Sequence, residues 1–454
     1  MKWNFRNSWC WWKNLLNFSK KHRYIDFIFP SCLTSFLLVS LFLNIDNYLI
    51  IGLLILVFIF NFFNYKFWIL SLIFFAIIFL SLSCYLIYFN YYNFHHIENN
   101  FKLEKNYDNF LLFKLKNINF IVWKNSKFKK LNININYETK YQYFFFLKGM
   151  LLKIKNPKLF NISNKILFEL NLQEIKFLNK ESTFKIFFSE NKIIEEYINI
   201  IVLNKYEKNS LIYKKLVNLN IIHFFTISGF HFNLIYLTIT KLIKKIKIKI
   251  PIDDFFAFSF LIIYLTILEF KISATRSLIF LLLIFLNKNI FNKKMSNINL
   301  LSITAALLAT LNPFAIYDYS FILSFLITLF IFITVYIFKN KNFYFKSIMV
   351  LIIAHLFSTL IIHTFNDKYN VFSFFNQVLL LPLISLNYIF TLIFFKWSIV
   401  SEKLILFFDT ILNLLNEATY IVKFEISNFI CIYFCSIFLI LRKLKFYKSI
   451  KINQ

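Results

Sequence analysis

Apolar runs of roughly 17–25 residues recur along this chain, the length an α-helix needs to cross about 30 Å of hydrocarbon. They lie near 25–44, 48–64 and 67–90, and again at 216–240, 254–270, 272–287, 298–317, 319–338, 347–363, 371–395, 404–422 and 426–441. Lipid cannot satisfy bare backbone groups, so runs of this kind leave only helices or closed barrels as spanning structures. The composition agrees. Hydrophobic residues make up 59% of the 454, and only 16% are charged. A soluble fold has too little polar surface to cover that much apolar side chain. The expectation is an all-α polytopic membrane bundle of about 9–12 transmembrane helices.

Six cations (Lys2, Arg6, Lys13, Lys20, Lys21 and Arg23) precede the first run, which places the N-terminus in the cytoplasm by the positive-inside rule. Trp9, Trp11 and Trp12 read as an interfacial anchor rather than part of a cleavable signal. Alternate threading then puts the Lys groups at 241–249, 288–294 and 339–346, and the basic end from Arg442 to Lys451, on the same inner side. The other turns hold little beyond Asp318, Lys368 and Lys423. Twelve crossings with both termini cytoplasmic fit this alternation. The chain divides into 1–92, a basic start and three spans; 93–215, a polar insertion; 216–441, the remaining spans; and 442–454, a basic tail.

The insertion is a different material. Short alternating runs such as Phe110–Lys116 and Leu131–Tyr137 read as strands. Between His95 and Lys205 it carries 19 Lys against 10 Asp or Glu, so it is a basic, β-rich domain on the outer side. Gly149 is its only glycine. The whole chain has a formal charge of +29. Biased coding that enriches Lys, Asn, Ile and Phe together accounts for much of that, and attraction to a polyanion is the competing reading. The five Cys include no CxxC pair and read as small apolar fillers. No metal or cofactor is expected.

Polar residues inside spans are costly and mark pathways or helix contacts. They are densest in His223-Phe-Phe-Thr-Ile-Ser228-Gly229-Phe-His231-Phe-Asn233. On an unbroken helix Asn220, His223, Ser228, His231, Thr238, Lys241 and Lys245 share an arc of about 140°. Gly229, one of three Gly in the chain, implies close approach, a kink or a break in mid-span. Arg276, in Lys271-Ile-Ser273-Ala-Thr-Arg276-Ser277, lies several residues inside an apolar run. It suits either headgroup snorkelling or bidentate contact with phosphate oxygens. For His223 and His231 the plain alternative is helix–helix hydrogen bonding.

The stretch HFFTISGFHFNLIYL (223–237) resembles the Ser-Gly-x-His signature of the ComEC family of competence proteins. Further along, FKISATRSLIF resembles the family's Ser-x-x-Arg-small pattern at Ser273, Arg276 and Ser277. NPFAIYDYSFILSF resembles its Pro–Asp–Phe–x–x–Ser–Phe segment at Pro313, Asp318, Phe321, Ser324 and Phe325, and FNQVLLLPL matches at Asn376 and Pro382. The order and spacing of four matches carry more weight than any one of them. The departures are Glu269 where a Gly is usual, Ser320 and Ile322 near the Ser-Phe pair, His355 for a Gln and Ile361 for a Pro.

The resemblance implies that the outer insertion is OB-like. It also implies that the chain is a channel for single-stranded DNA during natural transformation, a transporter rather than an enzyme. The path candidates are His223, Ser228, Gly229, His231, Ser273, Arg276 and Ser324. Implied partners are single-stranded DNA, the lipid bilayer, a DNA receptor, a nuclease, a cytoplasmic ATPase and further copies of the chain. The metallo-β-lactamase-like domain of many members, with its His-x-His-x-Asp-His run, is not expected here. Two alternatives stand beside the channel: an intramembrane serine hydrolase using Ser228, and a degraded competence remnant that keeps the fold without transport.

Overall fold

The computed structural model describes residues 28–42, 65–107, 109–115, 118–124, 141–154, 161–162, 165–182, 192–205, 210–225, 229–245, 253–290, 295–363, 368–394 and 398–423. Two helices, α1 (Ile28–Phe42) and α2 (Tyr65–Tyr91), come first. The runs at 48–64 and 426–441, the strand expected at Leu131–Tyr137 and the basic tail lie outside the described residues. Small hydroxyls let α1 and α2 approach closely: Thr34 Oγ1 donates to Ser71 Oγ at 3.0 Å and Ser35 Oγ to the Ser71 carbonyl at 2.9 Å.

Five strands follow: β1 (His96–Asn106), β2 (Phe110–Leu115), β3 (Ile118–Trp123), β4 (Tyr141–Lys153) and β5 (Ile166–Ser182). They close a barrel in the order β1-β2-β3-β5-β4. Every neighbouring pair is antiparallel except β3 with β5. Period-two alternation builds the core. On β4, Tyr143, Phe145, Leu147 and Leu151 point inward against Phe113, Phe120 and Phe168. Gly149 stands in the same inward row, where a Cβ would sit against the Asn171 backbone carbonyl of β5. The β4–β5 register shifts there, between Lys148 and Gly149. Only a glycine tolerates that approach.

The helical part comprises α3 (Lys192–Leu203), α4 (Leu211–Asn218), α5 (Ile222–Phe225), α6 (Gly229–Lys245), α7 (Asp253–Ile267), α8 (Ile272–Asn289), α9 (Asn297–Leu311), a 3₁₀ turn (Pro313–Tyr317), α10 (Tyr319–Ile337), α11 (Phe343–Ile362), α12 (Ser373–Phe394) and α13 (Ser398–Glu417). A short ribbon pairs β6 (Lys368–Asn370) with β7 (Ile421–Lys423). Side chains at the expected places start several helices. Asp318 accepts from the Ser320 N–H at 2.7 Å and Asn342 from the Phe345 N–H at 3.1 Å. Among the described residues five helical segments are long and apolar enough to cross a membrane: Trp68–Tyr91, Ile272–Asn289, Ser320–Ile337, Phe343–Ile362 and Ser373–Thr391.

The expected span at 216–240 is not one helix. Helix α4 stops because Asn220 adopts φ 56, while its N–H returns to the Val217 carbonyl and the Ile221 N–H to Leu216. This is a Schellman stop with Asn in the left-handed position. The 140° stripe drawn on an unbroken rod therefore has continuous helix only from Gly229 onward. The same stop ends α7, where Glu269 takes φ 55. Its N–H reaches the Thr266 carbonyl and that of Phe270 reaches Leu265. A Gly at this position would take that conformation freely. Glu in its place strains the backbone by about 1 kcal/mol.

Barrel and bundle share a core. Phe89 of α2 packs on Phe168 of β5, with ring centroids 6.2 Å apart, and on Phe314 of the 3₁₀ turn at 5.8 Å. Ser81 Oγ donates to the Thr310 carbonyl at 2.6 Å, so α2 joins the barrel directly to α9. A second core gathers α3 to α8 with α12 and α13.

Candidate functional site

The strongest polar constellation forms where α6, α8 and α10 meet. Arg276, five residues into α8, is 7% exposed. Its Nη1 donates to the Ser324 carbonyl at 2.7 Å and to Thr328 Oγ1 at 2.6 Å. The guanidinium carbon lies 5.6 Å from the Phe325 ring centre. Beside it, Ser277 Oγ donates to the Ser273 carbonyl at 2.7 Å. Helix α6 approaches through its first residue: a Cβ on Gly229 would fall 2.7 Å from Arg276 Nη2 and 3.3 Å from Ser277 Oγ. The mid-span glycine and the mid-span arginine are therefore one feature.

The guanidinium offers five N–H donors in a planar fork. Both Nη1 hydrogens are used by α10. Nε is buried and has no hydrogen-bond partner among the described residues. None of the ion pairs among the described residues involves Arg276. Its Nε–Nη2 edge is the one that pairs bidentately with two oxygens of a phosphate or carboxylate. Gly229, without a side chain, lets the α6 backbone close on the Nη2 side, where a Cβ would fall 2.7 Å from Nη2. A buried cation held by one carbonyl and one hydroxyl is costly, and an anion on that edge would offset the cost.

The other sequence candidates are placed differently. Gly229 and His231 are two residues apart, about 200° around α6, so they serve opposite faces. His231 is buried and packs edge-on to Tyr388 of α12, with centroids 4.5 Å apart. From there Tyr388 OH donates to Tyr264 OH at 3.1 Å, and Tyr264 OH to the Val202 carbonyl at 2.7 Å. His223 stacks near Phe224 on α5, with centroids 4.2 Å apart. Ser228 lies outside the described residues. The structure thus brings Gly229, Ser273, Arg276 and Ser324 together, while the contacts of His231 lead to α12, α7 and α3.

Two polar residues, Thr328 and Asp409, escaped the sequence reading, and a third, His355, entered it only as a departure from the family pattern. Thr328 completes the Arg276 clamp one turn after Ser324, and an i, i+4 polar pair on an apolar helix could have exposed it. His355 Nδ1 meets Gln377 Oε1 at 2.9 Å, and Gln377 Nε2 donates to the Asn220 carbonyl at 3.3 Å, tying α11 and α12 to the break after α4. Asp409 of α13 accepts from Tyr197 OH at 2.7 Å, Lys215 Nζ at 3.2 Å and Asn413 Nδ2 at 3.2 Å. Burial, reinforced by this carboxylate, pushes the Tyr197 phenol above its ordinary value, so it remains a donor. An acid in the middle of an apolar run was the available signal for Asp409.

A bundle of apolar helices packed on a closed β-barrel, with a guanidinium buried inside it, defines the class. A model of the competence protein family matches residues 207–444, more than half of the chain, which therefore belongs to that family. Among curated proteins, the uncharacterized MG316 homolog of Mycoplasma pneumoniae is 30% identical over 193 residues, 42% of this chain and 49% of that protein. The uncharacterized protein MG316 of Mycoplasma genitalium is 30% identical over 193 residues, 42% of this chain and 48% of its own length. The match thus spans about half the length of these curated relatives. No solved structure matches significantly. The family ties the chain to competence, and its apolar helices fit a membrane protein.

Proposed function

We propose that this chain is a channel for single-stranded DNA across the bacterial cytoplasmic membrane, with both termini cytoplasmic and the barrel outside. The observation that supports it most is the guanidinium of Arg276, buried inside the bundle with its Nε unbonded and without a carboxylate among the described residues. Conduction needs sites that bind phosphates in passing and release them. A guanidinium held through Nη1 alone, by the Ser324 carbonyl and the Thr328 hydroxyl, suits such a hand-over. We read the barrel as OB-like, because five strands closing in the order β1-β2-β3-β5-β4 with β3 parallel to β5 make the Greek-key barrel of that fold. Its excess of Lys would concentrate the strand near the membrane. A DNA receptor, a nuclease, a cytoplasmic ATPase and further copies of the chain would complete the machinery.

The test is uptake of labelled DNA by competent cells carrying the chain, lacking it, or carrying Arg276→Met. Uptake should require the chain and fall at least about tenfold in the variant, as expected when a desolvated charge-assisted contact is lost. Equal uptake in cells with and without the chain would end the transport reading.

A further inference from the structure

A cavity of about 400 Å³ lies between the second half of α11, β6 and the start of α12. Among the described residues its lining includes no Lys, Arg, Asp or Glu. Leu356 and Leu360 give it apolar walls, Tyr369 and Phe374 aromatic ones, and His355 and Thr359 stand one turn apart along α11. The imidazole is held in one tautomer. Gln377 Nε2 donates to the Asn220 carbonyl at 3.3 Å, so Oε1 is the atom turned to His355 Nδ1, 2.9 Å away. An amide oxygen only accepts, so Nδ1 carries the hydrogen and Nε2 is left as an acceptor. Its contact with the Tyr369 hydroxyl is long, 3.5 Å. Thr359 is the second polar group. Thr304, Thr310, Thr328 and Thr334 return their hydroxyls to the carbonyl four residues back, at 2.7–2.8 Å. For Thr359 that carbonyl belongs to His355 and accepts from Ser358 Oγ at 2.8 Å. The buried Thr359 hydroxyl has no hydrogen-bond partner among the described residues.

We propose that this cavity binds a nucleobase: one base of a passing strand lies against Tyr369 and Phe374 and bonds His355 Nε2 and the Thr359 hydroxyl through its edge. This rests on the channel reading above and adds a contact for bases to the phosphate contact of Arg276. Base edges carry donors beside acceptors, which an imidazole acceptor and a hydroxyl answer together. Base faces stack on aromatic rings whatever the sequence. An acyl chain would fill the apolar walls but leave the Thr359 hydroxyl unbonded, which is costly. A phosphate would find no Lys or Arg in the lining. Helix α11 also packs directly on the helix that clamps Arg276, since Phe357 stacks on Phe330 of α10 with ring centroids 3.9 Å apart.

The experiment measures binding of two fluorescent single strands by the full chain in maltoside detergent, one of mixed bases and one abasic, of equal length and charge. The mixed-base strand should bind at least about fivefold more tightly. Thr359→Val, which removes the hydroxyl at nearly the same volume, should weaken that strand by about fivefold and leave the abasic strand unchanged. The salt slope should not move, since no phosphate contact is lost. Thr359→Ser should bind as wild type does. So should Thr310→Val, at a hydroxyl that its own helix already uses. Leu356→Trp, which fills the cavity, should act as Thr359→Val does. Equal affinity for the two strands, no binding of either, wild-type binding in Thr359→Val, or the same loss on the abasic strand would overturn the base site. Repeating the titration in nanodiscs of phosphatidylethanolamine and phosphatidylglycerol tests the rival occupant. If lipid abolishes the preference for bases, acyl chains fill the cavity and the proposal is wrong. If the base site fails while uptake still depends on Arg276, the channel reading survives without it.

Discussion

The chain's two described glycines do opposite work in its two regions. In the barrel, Gly149 admits a neighbouring backbone, the Asn171 carbonyl, into a core that is otherwise apolar and rich in Phe. In the bundle, Gly229 admits a charged side chain, Arg276. The barrel keeps its charges on the surface and pairs some of them there, as Lys148 with Glu98 at 2.8 Å and Lys176 with Glu174 at 2.5 Å. The bundle buries its cation and leaves part of it unsatisfied among the described residues. The first arrangement serves stability. The second costs stability, and a function is what would maintain it.

That contrast is most sharply broken at Gly149. Gly149→Val should destabilise the barrel by on the order of 3 kcal/mol, because a backbone carbonyl cannot move aside as a side-chain tip can. Thermal unfolding of the purified protein would show it, and an unchanged melting temperature would remove the close-approach argument. Arg276→Met should separate the two quantities: thermal stability unchanged or raised by about 1 kcal/mol, as when a buried ion gives way to an apolar side chain of similar size, with DNA uptake lost. A parallel drop in stability and uptake would make Arg276 a structural residue. Gly229→Ala should lie between them. The Arg276 tip can shift by a few tenths of an ångström, so stability should fall by about 1 kcal/mol or less, while uptake drops severalfold. The smallest effect belongs to Glu269→Gly, which should raise stability by roughly 0.5–1 kcal/mol by relieving a left-handed residue. No gain in melting temperature there would mean that the Lys205–Glu269 pair offsets the strain.

Helix α2 and the long helices α8, α10, α11 and α12 were legible because a hydrocarbon-spanning run is a matter of length and composition alone. The barrel was legible as strand-rich material, and β2 fell where the alternation from Phe110 put it. A small barrel was a plausible reading of it, but the strand order was not legible, since pairing β3 parallel to β5 joins residues far apart in sequence. In the site, Gly229 and Arg276 were both singled out, the first for a break or a close approach and the second for a guanidinium inside an apolar run. His231 fell away from them because helical phase, not proximity in sequence, decides which neighbour a side chain meets. The break after α4 depended on Asn220 taking a left-handed turn, which Asn only sometimes does.

By itself the sequence determined that most of this chain must live in lipid, that a basic polar domain interrupts its helices, and that a glycine and an arginine sit where apolar residues would be cheaper. Those conclusions follow from local transfer energetics, which each segment carries with it. Only the tertiary structure decided that the glycine touches the arginine, that Ser324 and Thr328 hold one end of the guanidinium, and that the barrel stands over the bundle on Phe89 and Phe314. Contacts between helices depend on how faces are turned toward one another, and that is fixed when the elements pack together.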